Sequence, residues 1–119
     1  MNTWGVAKKW KEMCEKGKNL ECINELYAEN VVSKEMPGMP GEVVTGKQNV
    51  WNKSKEWIDS VENIHASSIS NPLVAGNFFT AKMDFDCTFK KGGRQKMEEV
   101  CVYEVKDGKI TSEQYFYTM

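Results

Sequence analysis

Histidine occurs once in the 119 residues, at His65, and no two of the four cysteines (Cys14, Cys22, Cys87 and Cys101) stand in C-x-x-C spacing. A His-rich or thiolate-rich metal site therefore cannot be assembled within one chain, and neither a metal nor an organic cofactor is expected. Neither sign of charge is in excess. Sixteen Lys and Arg against 17 Asp and Glu leave a net charge of −1, too little positive field to capture nucleic acid or an anionic membrane. No apolar run approaches the ~20 residues that span a bilayer. The first residues lack the basic segment and apolar core of a signal peptide, so the expectation is a cytoplasmic protein with reduced thiols.

What remains is enough for one domain, residues 1–119, with a core that needs no disulfide or metal to hold it. Helical spacing opens the chain. Val6, Trp10, Met13 and Gly17 share a face, with Thr3 available as N-cap, and the pattern stops at "KGKN". A second short helix can start from Asn19, place Glu21 in its first turn and bury Leu20, Ile23, Leu26 and Tyr27. Residues 31–36 then read as a short strand that ends before the "PGMPG" loop, a connection or a lid. The strongest helical pattern follows from Thr45 or Gly46, with Val50, Trp51, Ser54, Trp57, Ile58 and Val61 in one stripe.

From Asn63 onward the period changes to two, and turns at "AGN", "KKGGR" and "KDGK" divide the rest into four strands of an antiparallel meander. Helices first and sheet afterwards argue for an α+β domain whose three amino-terminal helices cover one face of a curved sheet. Odd-numbered residues from Phe79 to Phe89 are apolar and face those helices. In the next strand Glu99 interrupts the apolar set Met97, Cys101, Tyr103 and Val105, and a carboxylate on a covered face needs a reason, because an unpaired buried charge is costly.

Which residues of the last strand join that face depends on "VKDGKI". A two-residue loop pairs Lys106 with Lys109 and sets Cys101 opposite Gln114; a three-residue loop with Gly108 left-handed pairs Val105 with Lys109 and sets Cys101 opposite Glu113. The second register puts Glu113, Tyr115 and Tyr117 beside Glu99, Cys101 and Tyr103. With Met83 and Phe85 they make an apolar, aromatic surface bearing a few carboxylates, as a small-molecule cavity requires.

The order of elements, "LYAENVVSKEMPG" and the ending "CVYEVKDGKITSEQYFY" together resemble the SnoaL-like branch of the NTF2-like superfamily. The resemblance favours the second register. It implies a cystatin-like cone in which a strongly bent antiparallel sheet wraps a helix-lined cavity, and a homodimer through the outer sheet face, where Val100, Val102 and Phe116 leave an apolar strip. The superfamily includes ketosteroid isomerases, polyketide cyclases, epoxide hydrolases and binding-only domains, so the fold does not choose an activity.

By the resemblance, Glu35 lies at a position similar to the general base of ketosteroid isomerases, Trp10 replaces their oxyanion-hole tyrosine, and Cys101 their aspartate. Glu113 or Tyr115 occupies a region similar to the acid–base carboxylate of the cyclases; Glu99 has no counterpart. The candidate catalytic residues are Glu35, Glu99 and Glu113. The candidate binding residues are Trp10, Trp51, Trp57, Met83, Phe85, Cys101, Tyr103 and Tyr115. Each has a plainer alternative: Glu35 as a solvated charge, Glu99 and Glu113 as ion-pair partners, the tryptophans and tyrosines as core. The expected ligand is a small, largely apolar carbonyl compound, undergoing proton transfer, isomerisation, cyclisation or hydration. The alternatives are a carrier with the same cavity or an interaction domain whose pocket is plugged.

Overall fold

The computed structural model describes residues 1–118; Met119, the last residue of the expected domain, lies outside them. In chain order the elements are α1 (Thr3–Glu15), α2 (Asn19–Leu26), β1 (Tyr27–Lys34), β2 (Val43–Thr45), α3 (Lys47–Ser60), β3 (Val61–Ile69), β4 (Leu73–Ala75), β5 (Phe78–Phe89), β6 (Gly93–Lys106) and β7 (Lys109–Phe116). The seven strands form one curved sheet in the order β2-β1-β7-β6-β5-β3, with β4 beside β5. The meander from β3 onward is antiparallel as the period predicts, while β1 joins β7 in parallel and makes the sheet mixed.

Local chemistry sets the helix ends. Asn2 caps α1, its Oδ1 accepting from the Gly5 backbone N–H at 2.8 Å, which takes the place expected of Thr3. Asn19 is the first residue of α2 rather than its cap, and Glu21 lies in the first turn, where the helix dipole favours it. Strand β1 begins at Tyr27, four residues before the expected start at 31, because α2 ends at Leu26 and the chain passes directly into extended backbone.

The core fills one end of the cone. Val6, Ala7 and Trp10 of α1 and Ile23 and Leu26 of α2 pack on Phe79, Tyr103, Val105 and Ile110 of the sheet. Phe79 and Tyr103 stack with ring centroids 4.7 Å apart, and Trp10 tilts over both at 5.4 and 4.9 Å. Helix α3 closes the other end only in part. Of its expected stripe Val50 alone is fully buried, whereas Trp57 is 39% exposed and Ile58 37%. That end is where a cavity opens.

The last hairpin departs from the expected register. Asp107 (φ 50°) and Gly108 (φ 74°) are both left-handed, so the loop has two residues and Lys106 pairs with Lys109, not Val105 with Lys109. A bulge follows at once. Val105 pairs with Ile110 but Glu104 with Ser112, leaving Thr111 as the extra residue, its hydroxyl turned onto Glu104 Oε1 at 2.9 Å. Beyond the bulge Tyr103 lies opposite Glu113 and Cys101 opposite Tyr115. The expected residues reach the inner face, but through a tight turn plus a bulge and two places further along.

Candidate functional site

Four elements meet at the open end. Strand β1 releases Glu35 just past Lys34; β6 supplies Met97 and Glu99; β7 supplies Glu113 and Tyr115; and α3 lays Lys53, Trp57 and Ile58 across the top. With Met83 and Phe85 of β5 they surround a cavity of about 180 Å³. The volume is below the ~300–1,000 Å³ typical of drug-sized ligands and suits a small molecule. Trp57 leans on Phe85 and Phe89 with centroids 5.6 and 6.1 Å apart, making an aromatic edge beside the cavity.

A continuous chain of hydrogen bonds runs along one wall. The parallel pairing of β1 and β7 sets Ser33 beside Glu113, and the Ser33 hydroxyl donates to Glu113 Oε2 at 2.6 Å. Tyr27 donates to the other carboxylate oxygen. Glu113 is 2% exposed, so these two hydroxyls take the place of the water it gave up. Lys53 Nζ then donates to Ser33 Oγ at 3.0 Å and to Glu35 Oε2 at 3.0 Å, while the Tyr117 hydroxyl donates to Glu35 Oε1 at 2.9 Å. Both oxygens of Glu35 are thereby engaged. Burial, followed by the hydrogen bond to Glu35 and then its charge, pushes the Tyr117 phenol up to about 12, so it remains a donor at neutral pH.

Glu99 is placed differently. Among the described residues its carboxylate has one side-chain contact within hydrogen-bonding range, Cys101 Sγ at 3.6 Å from Oε1, and a thiol is a weak donor. Burial and then the charge of Glu35, with a lesser contribution from Glu113, push its pKa up to about 7 from an ordinary 4.5, opposed by the Cys101 thiol and, more weakly, by Lys53. A carboxyl group near neutrality on an apolar wall can take up a proton and give it back under ordinary conditions. Burial also pushes the Cys101 thiol up, with Glu99 adding to the effect, so it is no nucleophile here.

The structure brings together Glu35, Glu99, Glu113, Trp57, Met83, Phe85 and Tyr115 of the expected site. Four others lie outside the cavity lining. Trp10 and Tyr103 are buried in the aromatic core, Trp51 packs against that core, and Cys101 sits behind the wall, its sulfur 3.3 Å from Met83 Sδ. Trp10 and Cys101 therefore do not form an oxyanion hole facing the cavity. The "PGMPG" loop lines no part of it; the loop is tied to itself by Glu35 N–H to Glu42 O and Gly38 N–H to Glu42 Oε1, at 2.9 and 2.7 Å.

Lys53, Ser33 and Tyr27 were not expected at the site. Lys53 had a legible signal, because it follows Val50 by three and precedes Trp57 by four, placing a cation inside an apolar helical stripe. Ser33 and Tyr27 had none without the parallel β1–β7 pairing.

A family model described as a SnoaL-like domain matches residues 1–117 of this chain. The chain belongs to the SnoaL-like family. A proposed SnoaL-like polyketide cyclase from Mesorhizobium loti is 34% identical, with 98% of this chain and 100% of that one covered at a TM-score of 0.92. A protein of unknown function with a cystatin-like fold from Xanthomonas campestris is 18% identical over 100% of this chain and 92% of that one, TM-score 0.84. A hypothetical protein with a ketosteroid isomerase-like fold from Catenulispora acidiphila is 17% identical over 96% and 85%, TM-score 0.76. The last two share the SnoaL-like fold with this chain and carry no argument about its chemistry. A comparison with curated proteins finds no match.

Proposed function

We propose that this SnoaL-like domain binds a small, largely apolar carbonyl compound and moves a proton at the carbon next to the carbonyl, with Glu99 as the acid–base group. The observation that carries the reading is a single carboxyl group, raised to about 7 by burial and two neighbouring carboxylates, on the wall of an apolar cavity. Isomerisation and cyclisation both begin with this step. Glu35 and Glu113, already engaged by Lys53 and Tyr117 and by Tyr27 and Ser33, act on Glu99 through their charge. The proton leaves the substrate for Glu99 and returns from it, so the reading calls on no cofactor.

The test is solvent exchange. Small cyclic ketones such as cyclohexanone are incubated with the protein in deuterated water, and loss of the α-hydrogen signal is followed by proton NMR. The expected result is exchange that rises with pH through about 7 and falls about 10²–10⁴-fold in Glu99→Gln, the usual worth of a general base. Wild-type rates in Glu99→Gln would remove the residue from the mechanism. A carrier without turnover is the second reading, favoured by the engagement of two of the three carboxylates in fixed hydrogen bonds; tight ketone binding without exchange at any pH would select it.

A further inference from the structure

We infer that Lys53 takes the carbonyl oxygen of the substrate, and that the substrate is an uncharged ketone or aldehyde; this rests on the reading of the cavity as a proton-transfer site. An ammonium has three N–H donors. Two are used, on Ser33 Oγ and Glu35 Oε2 at 3.0 Å each, and no protein group among the described residues takes the third. The two acceptors stand on and just beyond the end of β1, so they hold the ammonium from one side. The face of Tyr115 lies 5.6 Å from Nζ and restricts it further. Lys53 and Glu99 line the same cavity from opposite elements, α3 above and β6 in the sheet.

That pair completes a balanced step. The Glu99 carboxylate removes H⁺ from the carbon next to the carbonyl. The C–H electron pair becomes the new C=C bond, and the C=O π pair moves onto oxygen, where the enolate charge forms beside Lys53. Protonated Glu99 then returns H⁺ to the same carbon or to a conjugated one. No oxidant or co-reactant enters, and the net charge of the cavity stays constant as the negative charge passes from Glu99 to the oxygen. A preorganised donor at that oxygen acts where charge develops, where such contacts are most effective.

The same inventory sets the substrate class. Among the described residues that line the cavity Lys53 is the one cation, against Glu35, Glu99 and Glu113. A ligand that arrived with its own carboxylate would meet three acids and one ammonium already paired, whereas a neutral carbonyl presents an oxygen to the remaining N–H and adds no charge.

The probe is 4-nitrophenol, whose ionised form is yellow and whose phenolate oxygen stands in for the enolate. With Glu99 carrying its proton, as it does once the enolate has formed, the bound phenol in the wild-type chain is expected to ionise more readily than in Lys53→Gln, with phenolate affinity at least about tenfold higher. Tenfold corresponds to a shift of about one pKa unit. Lys53→Arg, which keeps the charge and the donors, is expected to retain the preference and guards against a simple loss of fold. Glu99→Gln is expected to keep the phenolate preference while losing ketone exchange, so failure of the base and failure of the anchor read out separately. Equal phenolate affinity in wild type and Lys53→Gln, preference for the neutral phenol, or no binding of the probe would each overturn the assignment.

Discussion

Glu99 bears its charge in a place that opposes it, and stability must follow its titration. Its folded pKa of about 7 exceeds the ordinary 4.5, so between those values the folded chain binds more protons than the unfolded one. Stability therefore falls as pH rises from about 4.5 to about 7 and levels off above. The full swing is about 3 kcal/mol at most. The groups facing Glu99 are Glu35, Lys53, Glu113 and Cys101, and the first three belong to the hydrogen-bonded wall. Urea unfolding across this range is expected to show the slope in wild type, flattened in Glu99→Gln, which should be the more stable of the two at pH values above 7. Ser33→Ala leaves one oxygen of buried Glu113 without its donor and is expected to cost about 1–3 kcal/mol in the same measurement. An unchanged midpoint would mean that water replaces the hydroxyl. At this scale the sequence was partly legible: Glu99 stood out as a carboxylate in an apolar alternation, whereas the engagement of Glu35 by Lys53 and Tyr117 needed three separate elements to meet.

Among the elements, the β6–β7 hairpin decides what the cavity contains. Type and order of the helices and the meander were readable because apolar periodicity and glycine-bearing turns are local signals. The register was not, because "KDG" accommodates both loop lengths and the bulge one step later restores the same inner face by another route. Thr111 is the residue that makes the difference. Its deletion would make the ladder regular, with Val105–Ile110, Glu104–Ser112 and Tyr103–Glu113 still paired and Glu113 and Tyr115 still on the inner face, at the loss of the Thr111–Glu104 hydrogen bond. The expected result is a cooperative circular dichroism melt close to that of wild type, and loss of cooperative unfolding would contradict the role of Thr111 as the unpaired residue of the bulge. Gly108 is a milder probe of the same hairpin. At φ 74° a Cβ is strained, and it would meet Met1 N and O at 3.2 and 3.3 Å. Gly108→Ala is expected to destabilise by about 1–2 kcal/mol, read from its unfolding midpoint. Helix α3 teaches a complementary lesson, since its apolar stripe resembled core packing and in fact overhangs the cavity, with Trp57 half-exposed and Lys53 in its midst.

For the whole molecule, curvature separates two faces with different tasks. The inner face holds the core at one end and the cavity at the other, and the outer face carries an apolar strip in which Val100 and Phe116 pair across β6 and β7 at 44% and 43% exposure, flanked by Val102. We propose that a second copy of the chain covers this strip. Sedimentation equilibrium at roughly 10 μM is expected to give twice the chain mass for wild type and the single mass for Phe116→Glu; a wild-type monomer there would contradict the proposed interface. Dimerisation leaves the cavity argument intact, because Glu99 and Lys53 belong to the other side of the sheet. The proposed chemistry requires the fold to hold one carboxyl group near neutrality on the wall of this hollow. Carbon-13 NMR titration of the Glu99 side-chain carboxyl, assigned by its disappearance in Glu99→Gln, is expected to give a midpoint at about 7; a midpoint near the ordinary 4.5 would rule Glu99 out as the acid–base group.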